Sequence, residues 1–312
     1  TSINGGQVGG NRNVIINGAQ EVSQRHAGAS VPSSSQYVTD RWKVQSAGNA
    51  GDSQQIASTI AGFKSSLKYT GDASIAWNQI GQQIEYKNYA HLVGEDVTIS
   101  FYAKANNTNG GSTALVLRTR TVTGEDGGAL FAGANTDTSV TISTTAARYT
   151  VARTIPADSK GFSVEFALGA HVNTDGYEIT GIQLELGTVT EFEHRSFGEE
   201  LALCQRYLYK SIGTHAYTPH GLGSTFAANQ VDFVTSYPVK MRTNPTASYG
   251  GTVSAAKGTT VSNFSSVGDA GGSTFNSFLR CRLAASSFTI GDCLTINNNN
   301  DATGYIQFDA EL

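Results

Sequence analysis

Trp77, Gln79, Gln82 and Tyr86 set an indole, two side-chain amides and a phenol close together, and Asn78 and Gln83 add further amides. Aromatic faces stack on the apolar faces of ring-shaped partners, and amides donate and accept hydrogen bonds at once, which matches hydroxyl groups. Uncharged side chains also cost little to desolvate. The chemistry that suits this stretch is sugar recognition, with Trp77 as a platform at one edge of a sheet. The same residues fit a plainer role, in which Trp77 anchors a loop from below and the amides cover a sheet edge. Trp42 reads as core packing, with Asp40 and Arg41 before it forming an ion pair or capping a loop. Tyr69, Tyr102, Arg118 and Arg120 are expected on the outer face of the same sheet as Trp77, the arginines solvated.

Catalytic chemistry finds less to work with. Glycoside hydrolysis requires two carboxylates across a cleft. Of the candidates Glu185, Glu191, Glu193, Glu199 and Glu200, the last two are explained by a helix start, and Glu185 alternates outward from a strand. Glu125 and Asp126 lie in a glycine-rich loop, where an acidic pair is ordinarily solvated. No Gly-x-Ser-x-Gly stands in the chain, and Gly110-Gly111 and Gly127-Gly128 lack the Gly-Lys-Ser/Thr of a phosphate loop. The histidines are scattered, with His215 and His220 in one loop the nearest approach to a metal pair. No enzymatic activity, metal or cofactor is expected. Three cysteines, Cys204, Cys281 and Cys293, are an odd count without CxxC spacing. They are expected as free thiols in a protein assembled in a reducing cytoplasm, Cys281 and Cys293 pairing only if their strands are neighbours.

Charged residues make up 15% of the 312, against about 25% in ordinary globular chains. Gly, Ser, Thr and Asn fill the difference, which gives many turns and few long helices. The net charge is −4 and no Lys/Arg run appears, so nucleic acid is not an expected partner. No stretch approaches the ~18 apolar residues of a membrane span, so no membrane insertion is expected. The chain opens on Thr1 and without a signal peptide, and is expected to be trimmed or part of something longer.

The elements that must position these residues are mostly strands. Residues 97–104 alternate cleanly, with Val97, Ile99, Phe101 and Ala103 on one face. Further strands are expected at 14–16, 37–44, 63–69, 114–122, 140–143, 148–155 and 162–168, with 123–138 a loop. Residues 77–86 fit either a helical or a strand period. Residues 179–210 carry the clearest punctuation. Ile182, Leu184 and Leu186 alternate as a strand that Gly187 ends. Ser196 with Glu199 three residues on forms a capping box. Phe197, Leu201, Cys204 and Leu208 then fall on one helical face. Shorter strands follow to the C-terminus.

These stretches also carry a resemblance. The strand ending Gln-Leu-Glu-Leu-Gly187, then residues 192–209, FEHRSFGEELALCQRYLY, is similar to the closing signature of carbohydrate-binding-module-like domains in tail fibres and related appendages of bacteriophages, marine ones especially. Asn13-Val-Ile-Ile-Asn-Gly18, Gln24-Arg25, Asp40-Arg41-Trp42, the run 79–85 and residues 98–104 match in order, so the resemblance covers about 13–210; residues 305–312 also resemble such chain ends. It implies a jelly roll, and makes 77–86 a strand followed by a loop to Leu92. The expected fold is all-β: a jelly-roll-like β-sandwich followed by one short helix and a smaller β region. The expected domains are 1–12 a linker or arm, 13–195 the sandwich, 196–212 the connecting helix and 213–312 a C-terminal β domain. The resemblance implies a virion appendage, tail fibre or similar, that binds host-surface polysaccharide, works as a homotrimer and contacts other virion proteins. A purely structural fibre, knob or decoration protein is the alternative, and a polysaccharide depolymerase a distant one. The expected sugar contacts are Trp77, Gln79, Gln82 and Tyr86.

Overall fold

The computed structural model describes residues 2–3, 6–7, 12–48, 51–71, 75–107, 114–128, 130–168, 175–285 and 288–312. The chain forms two compact units, Thr1–Glu200 with Leu312, and Leu201–Glu311. In the arm expected at 1–12, β1 (Ser2–Ile3) pairs with β2 (Gly6–Gln7).

The first unit is a jelly-roll-like sandwich of two six-stranded antiparallel sheets. Its short edge strands are β3 (Val31–Pro32) and β4 (Gln36–Thr39). Then come β5 (Trp42–Gly48), β6 (Asp52–Ala57), β7 (Ser65–Thr70) and β8 (Ile75–Ile84), with helix α1 (Tyr86–Tyr89) after them. The series ends with β9 (Asp96–Asn106), β10 (Ala114–Val122), β11 (Ala134–Thr141), β12 (Ala147–Thr154), β13 (Gly161–Leu168) and β14 (Gly176–Leu186). One sheet has the order β11-β10-β13-β8-β5-β4, the other β12-β9-β14-β7-β6-β3. Alternation decides which side chains face inward. Val44, Ile80, Phe166 and Leu117 from the first sheet meet Ile99, Phe101, Leu184 and Leu67 from the second. Phe101 and Phe166 join the sheets edge to face, with ring centroids 4.8 Å apart. Trp42 is fully buried and donates its indole N–H to Asn17 O at 3.0 Å.

Several local expectations are corrected. Residues 14–16 are not a strand. They form a strap whose backbone bonds to side chains: Gln82 accepts from Ile16 N (2.9 Å) and donates to Ile16 O (2.7 Å), while Asn13 Oδ1 accepts from Ile15 N and Leu184 N. These amides, the Arg195 guanidinium on Ile15 O and a single backbone bond from Val14 N to Leu184 O at 3.2 Å stand in for a ladder. Strand β11 begins inside the loop expected at 123–138, because residues 134–139 pair with β10 although nearly all are exposed and polar. Tyr69 is fully buried in the core, and Tyr102 lies on the second sheet, not on that of Trp77. Asp40 accepts from Gln24 N at 2.9 Å, and Arg41 donates to Gln83 O, each fixing a loop crossing.

The helix after the sandwich, α2 (Phe197–Gln205), is shorter than the 196–212 expected. Leu208–Ile212 is strand β15, paired with the C-terminal strand β23 (Tyr305–Asp309). The run after Arg206, with Tyr207, Tyr209 and Ile212, finds a partner edge, and pairing overrides the helical period. Phe197 is therefore exposed and Leu201 half-buried, while Cys204 is buried. The capping box is formed: Ser196 N donates to Glu199 Oε2 at 3.0 Å and Glu199 N to Ser196 Oγ at 3.3 Å.

The second unit holds a closed six-stranded barrel, β16 (Pro219–Ala227), β17 (Gln230–Ser236), β21 (Asn276–Leu283), β20 (Thr260–Gly272), β19 (Val253–Lys257) and β22 (Cys293–Asn298) in ring order. Strands β15, β23 and β18 (Thr246–Gly250) make a separate three-stranded sheet. Val231, Phe233, Leu279, Cys281, Leu294 and Ile296 fill its core. Cys281 lies opposite Val231 and Cys293 opposite Ser224, so the two do not pair, and all three cysteines are free.

Candidate functional site

The outer face of the β11-β10-β13-β8-β5-β4 sheet carries a cleft of about 560 Å³. Register builds its floor. One row across four strands reads Gln45, Gln79, Ala167, Val116, and the next reads Lys43, Gly81, Glu165, Arg118, Asp137. Trp77 stands at one end of the cleft, 37% exposed, with Arg120 and Phe131 also lining it. The small side chains of Ala167 and Val116 leave the floor low where the row crosses β13 and β10.

The expected site residues separate by strand phase. Trp77 and Gln79 face the cleft. Gln82, between them and the strand end, faces the opposite side and is spent on the Ile16 backbone. Tyr86 lies past the strand in α1, half-buried against the core and edge-on to Tyr89 at 5.6 Å. The structure thus brings two of the four together. It adds Gln45, which lies just past the strand expected at 37–44 because that strand runs on to Gly48, and Phe131, a lone aromatic in a glycine-rich loop.

Polar side chains on the floor form a connected line. Gln79 Nε2 donates to Gln45 Oε1 at 3.2 Å, and Arg118 Nη1 reaches Gln79 Oε1 at 3.5 Å. Arg118 Nε and Nη2 each donate to Asp137 at 2.7 Å, and Asn135 Nδ2 donates to the same carboxylate at 3.0 Å. Asp137 is held below the ordinary carboxylate range, first by the Arg118 hydrogen bond. Arg118 is pushed up by the same bond. The amide nitrogen of Gln45 has no partner among the described residues, so a donor is left facing the cleft beside the indole.

Phe131 brings the stretch between β10 and β11 to the cleft, and two side chains hold the described part of that stretch. Gln83 Nε2 donates to Asp126 O (3.1 Å) and Gly127 O (2.8 Å). Glu165, fully buried, accepts from Phe131 N at 2.8 Å, Ser163 Oγ at 2.9 Å and Arg120 Nε at 3.1 and 3.0 Å. Gly81 makes room for this carboxylate: a Cβ there would stand 2.8 Å from Glu165 Cγ and 2.7 Å from Leu130 Cδ1. Phe131 itself has φ +62°. That left-handed conformation costs about 1–2 kcal/mol in a residue with a side chain. Strain of this kind collects where a side chain is being aimed.

Of the residues that line the cleft, Arg118 and Arg120 are the charged ones, each paired with a carboxylate, so the lining favours a neutral ligand; Lys43 lies in the same row but does not line the cleft. Both carboxylates are engaged by arginines, Asp137 by Arg118 and Glu165 by Arg120. The acidic residues singled out near the helix are also engaged elsewhere: Glu185 accepts from Thr190 N at 2.9 Å, Glu193 from Asn13 N at 2.8 Å, and Glu199 caps α2. His220 bonds Ser211 Oγ at 2.9 Å through Nδ1 and Asn298 Oδ1 at 2.7 Å through Nε2, which occupies both ring nitrogens.

No protein-family model and no curated protein matches the chain. Solved structures of similar fold include a family 61 carbohydrate-binding module in complex with β-1,4-galactotriose, 11% identical, over 57% of this chain and 100% of that one, at a TM-score of 0.36. The family 22 xylan-binding domain of Paenibacillus barcinonensis Xyn10C is 16% identical, over 53% of this chain and 99% of that one, at 0.34. The enzymatically active domain of bacteriophage CBA120 tailspike protein 4 is 14% identical, over 56% of this chain and 22% of that one, at 0.35. Likenesses this distant carry no function over to this chain.

Proposed function

We propose that the sandwich unit binds glycan in the cleft between Trp77 and Phe131. The observation that carries this reading is the exposed Trp77 beside the Gln45–Gln79 amide pair, in a cleft whose two lining arginines are each paired with a carboxylate. The indole offers a stacking face, the amides meet hydroxyls, and no unpaired charge must be desolvated. The proposal extends to the setting implied by the motifs in 13–210: a bacteriophage virion appendage, tail fibre or similar, whose partner is host-surface polysaccharide. A homotrimer then gives three weak sites one avidity, since a single site of this kind has a millimolar Kd, about −4 kcal/mol.

A glycan array on the purified chain, with Trp77→Ala alongside, tests the site. Binding of neutral saccharides by the parent and its loss in a variant with unchanged circular dichroism is expected. Undiminished binding by the variant places the site elsewhere. A purely structural virion role is favoured by a different observation: Leu222, Phe226 and Val234 are exposed on the barrel of the second unit, with Phe278 opposite Val234. Light scattering that shows oligomers, together with an array without signal, selects that reading.

A further inference from the structure

The opposite face of the same unit carries a second cleft, of about 380 Å³, which the neutral-glycan reading does not use. Its volume lies within the ~300–1,000 Å³ of ordinary ligand pockets. Across β7, β14 and β9 one outward row reads Lys68, Glu178, Lys104. Glu178 is fixed in place: Thr59 N donates to Oε1 at 2.8 Å, Thr59 Oγ1 to Oε2 at 2.5 Å, and Lys104 Nζ lies 3.4 Å from Oε2. Lys104 therefore neutralises Glu178. Lys68 makes no ion pair among the described residues, so the cleft carries one positive charge in excess. Asn107 lines the same cleft, and its enclosed amide oxygen has no hydrogen-bond partner among the described residues. An enclosed acceptor of that kind calls for a hydroxyl or N–H donor.

We propose that this cleft binds an acidic saccharide, a ring whose carboxylate or sulfate ester meets Lys68 and whose hydroxyl donates to Asn107. The two needs of the site, a cation without a counter-ion and an acceptor without a donor, are met together by a polyhydroxylated anion. A bare inorganic anion satisfies only the first. Glu178 holds Lys104 in place, which leaves Lys68 as the cation for the ligand. Burial alone would raise the pKa of Glu178, but the Thr59 and Ser66 hydrogen bonds and Lys104 bring it below the ordinary glutamate value.

Isothermal calorimetry on the whole chain tests this, with trigalacturonate, its methyl-esterified counterpart, galactose 6-sulfate and inorganic sulfate as probes. At least one of the two acidic sugars is expected to bind, the stronger one naming the charged group. Affinity should fall at least tenfold in Lys68→Ala, recover in Lys68→Arg, and stay unchanged in Trp77→Ala, which separates this site from the neutral cleft. Trigalacturonate should lose at least tenfold on methyl esterification if it is the ligand that binds. The proposal is overturned by no binding of either acidic sugar at millimolar concentration, by binding that Lys68→Ala leaves intact, or by inorganic sulfate binding as tightly as galactose 6-sulfate.

Discussion

Arg118 and Asp137 face each other across β10 and β11 in a two-point ion pair, both N···O distances 2.7 Å. The pair closes the line of side chains that begins at Gln45, and it decides the charge of the cleft. Without it, Arg118 would be an unmatched cation under the proposed ligand.

Its contribution to stability depends on pH in a defined direction. Arg118 holds the folded-state pKa of Asp137 below its unfolded value. The stabilisation is therefore present above the ordinary carboxyl pKa and is lost as pH falls through the depressed one. Asp137 is 38% exposed, so the pair is expected to contribute less than about 1 kcal/mol. Urea midpoints of the parent and Asp137→Asn should differ slightly at pH 7 and converge in acid. A gap of the same size at both pH values would mean that the pair is not formed in solution.

Gly81 tests whether the loop wall is seated as described. An added methyl would press on Glu165 Cγ, Leu130 Cδ1 and, at 3.1 Å, Val164 O. Leu130 can swing away, but Glu165 is held by Arg120, Ser163 and Phe131 N. Gly81→Ala is expected to cost about 1–3 kcal/mol, as overpacking does. Glycan affinity should fall with it, because Phe131 loses its anchor. An unchanged melting temperature would show that Glu165 does not sit against this glycine.

Much of the fold was legible because the sandwich obeys a simple period. The alternation of 97–104 gave the two faces of β9, and Ser196 with Glu199 marked the start of α2, since both signals are local. Read through 77–86, the same period puts Trp77 and Gln79 on one face and Gln82 on the other, but the helical period that the stretch also fits left that phase open. What was not legible depends on pairing across the chain. Tyr69 and Tyr102 looked alike in sequence, yet one faces the core and the other the outside of the second sheet. Arg118 and Arg120 read as solvated because Asp137 and Glu165 are distant in sequence. Residues 208–212 kept a helical period, and only the partner strand at 305–309 made them extended.

The two tryptophans give a direct optical readout of the cleft. Trp42 is fully buried with its N–H bonded to Asn17 O, whereas Trp77 is 37% exposed. Acrylamide should quench one component of the intrinsic fluorescence and spare the other. Trp77→Phe should remove the quenchable component, and a bound saccharide should protect it. Two equally quenchable components, or none, would contradict the placement of both indoles.

Glu200 offers the opposite pH signature from Asp137, and the contrast makes it the sharper test. Its carboxylate accepts from Asn17 N at the strap and lies 3.4 Å from Arg195 Nη1. Burial pushes its pKa up, and Arg195 and the Asn17 bond only partly offset that. A folded-state pKa above the unfolded one means that the ionised group opposes folding at neutral pH. The opposition fades as pH falls through the raised folded value. Glutamine keeps an acceptor for Asn17 N and does not titrate. The stability of the parent relative to Glu200→Gln should therefore rise as pH is lowered from 8 to 5, measured by urea midpoints under identical salt. All other carboxylates are common to both proteins, so the difference isolates this group. If the parent instead loses ground to the variant as pH falls, Arg195 outweighs burial, and the strap is held by an ion pair rather than by a desolvated carboxyl group.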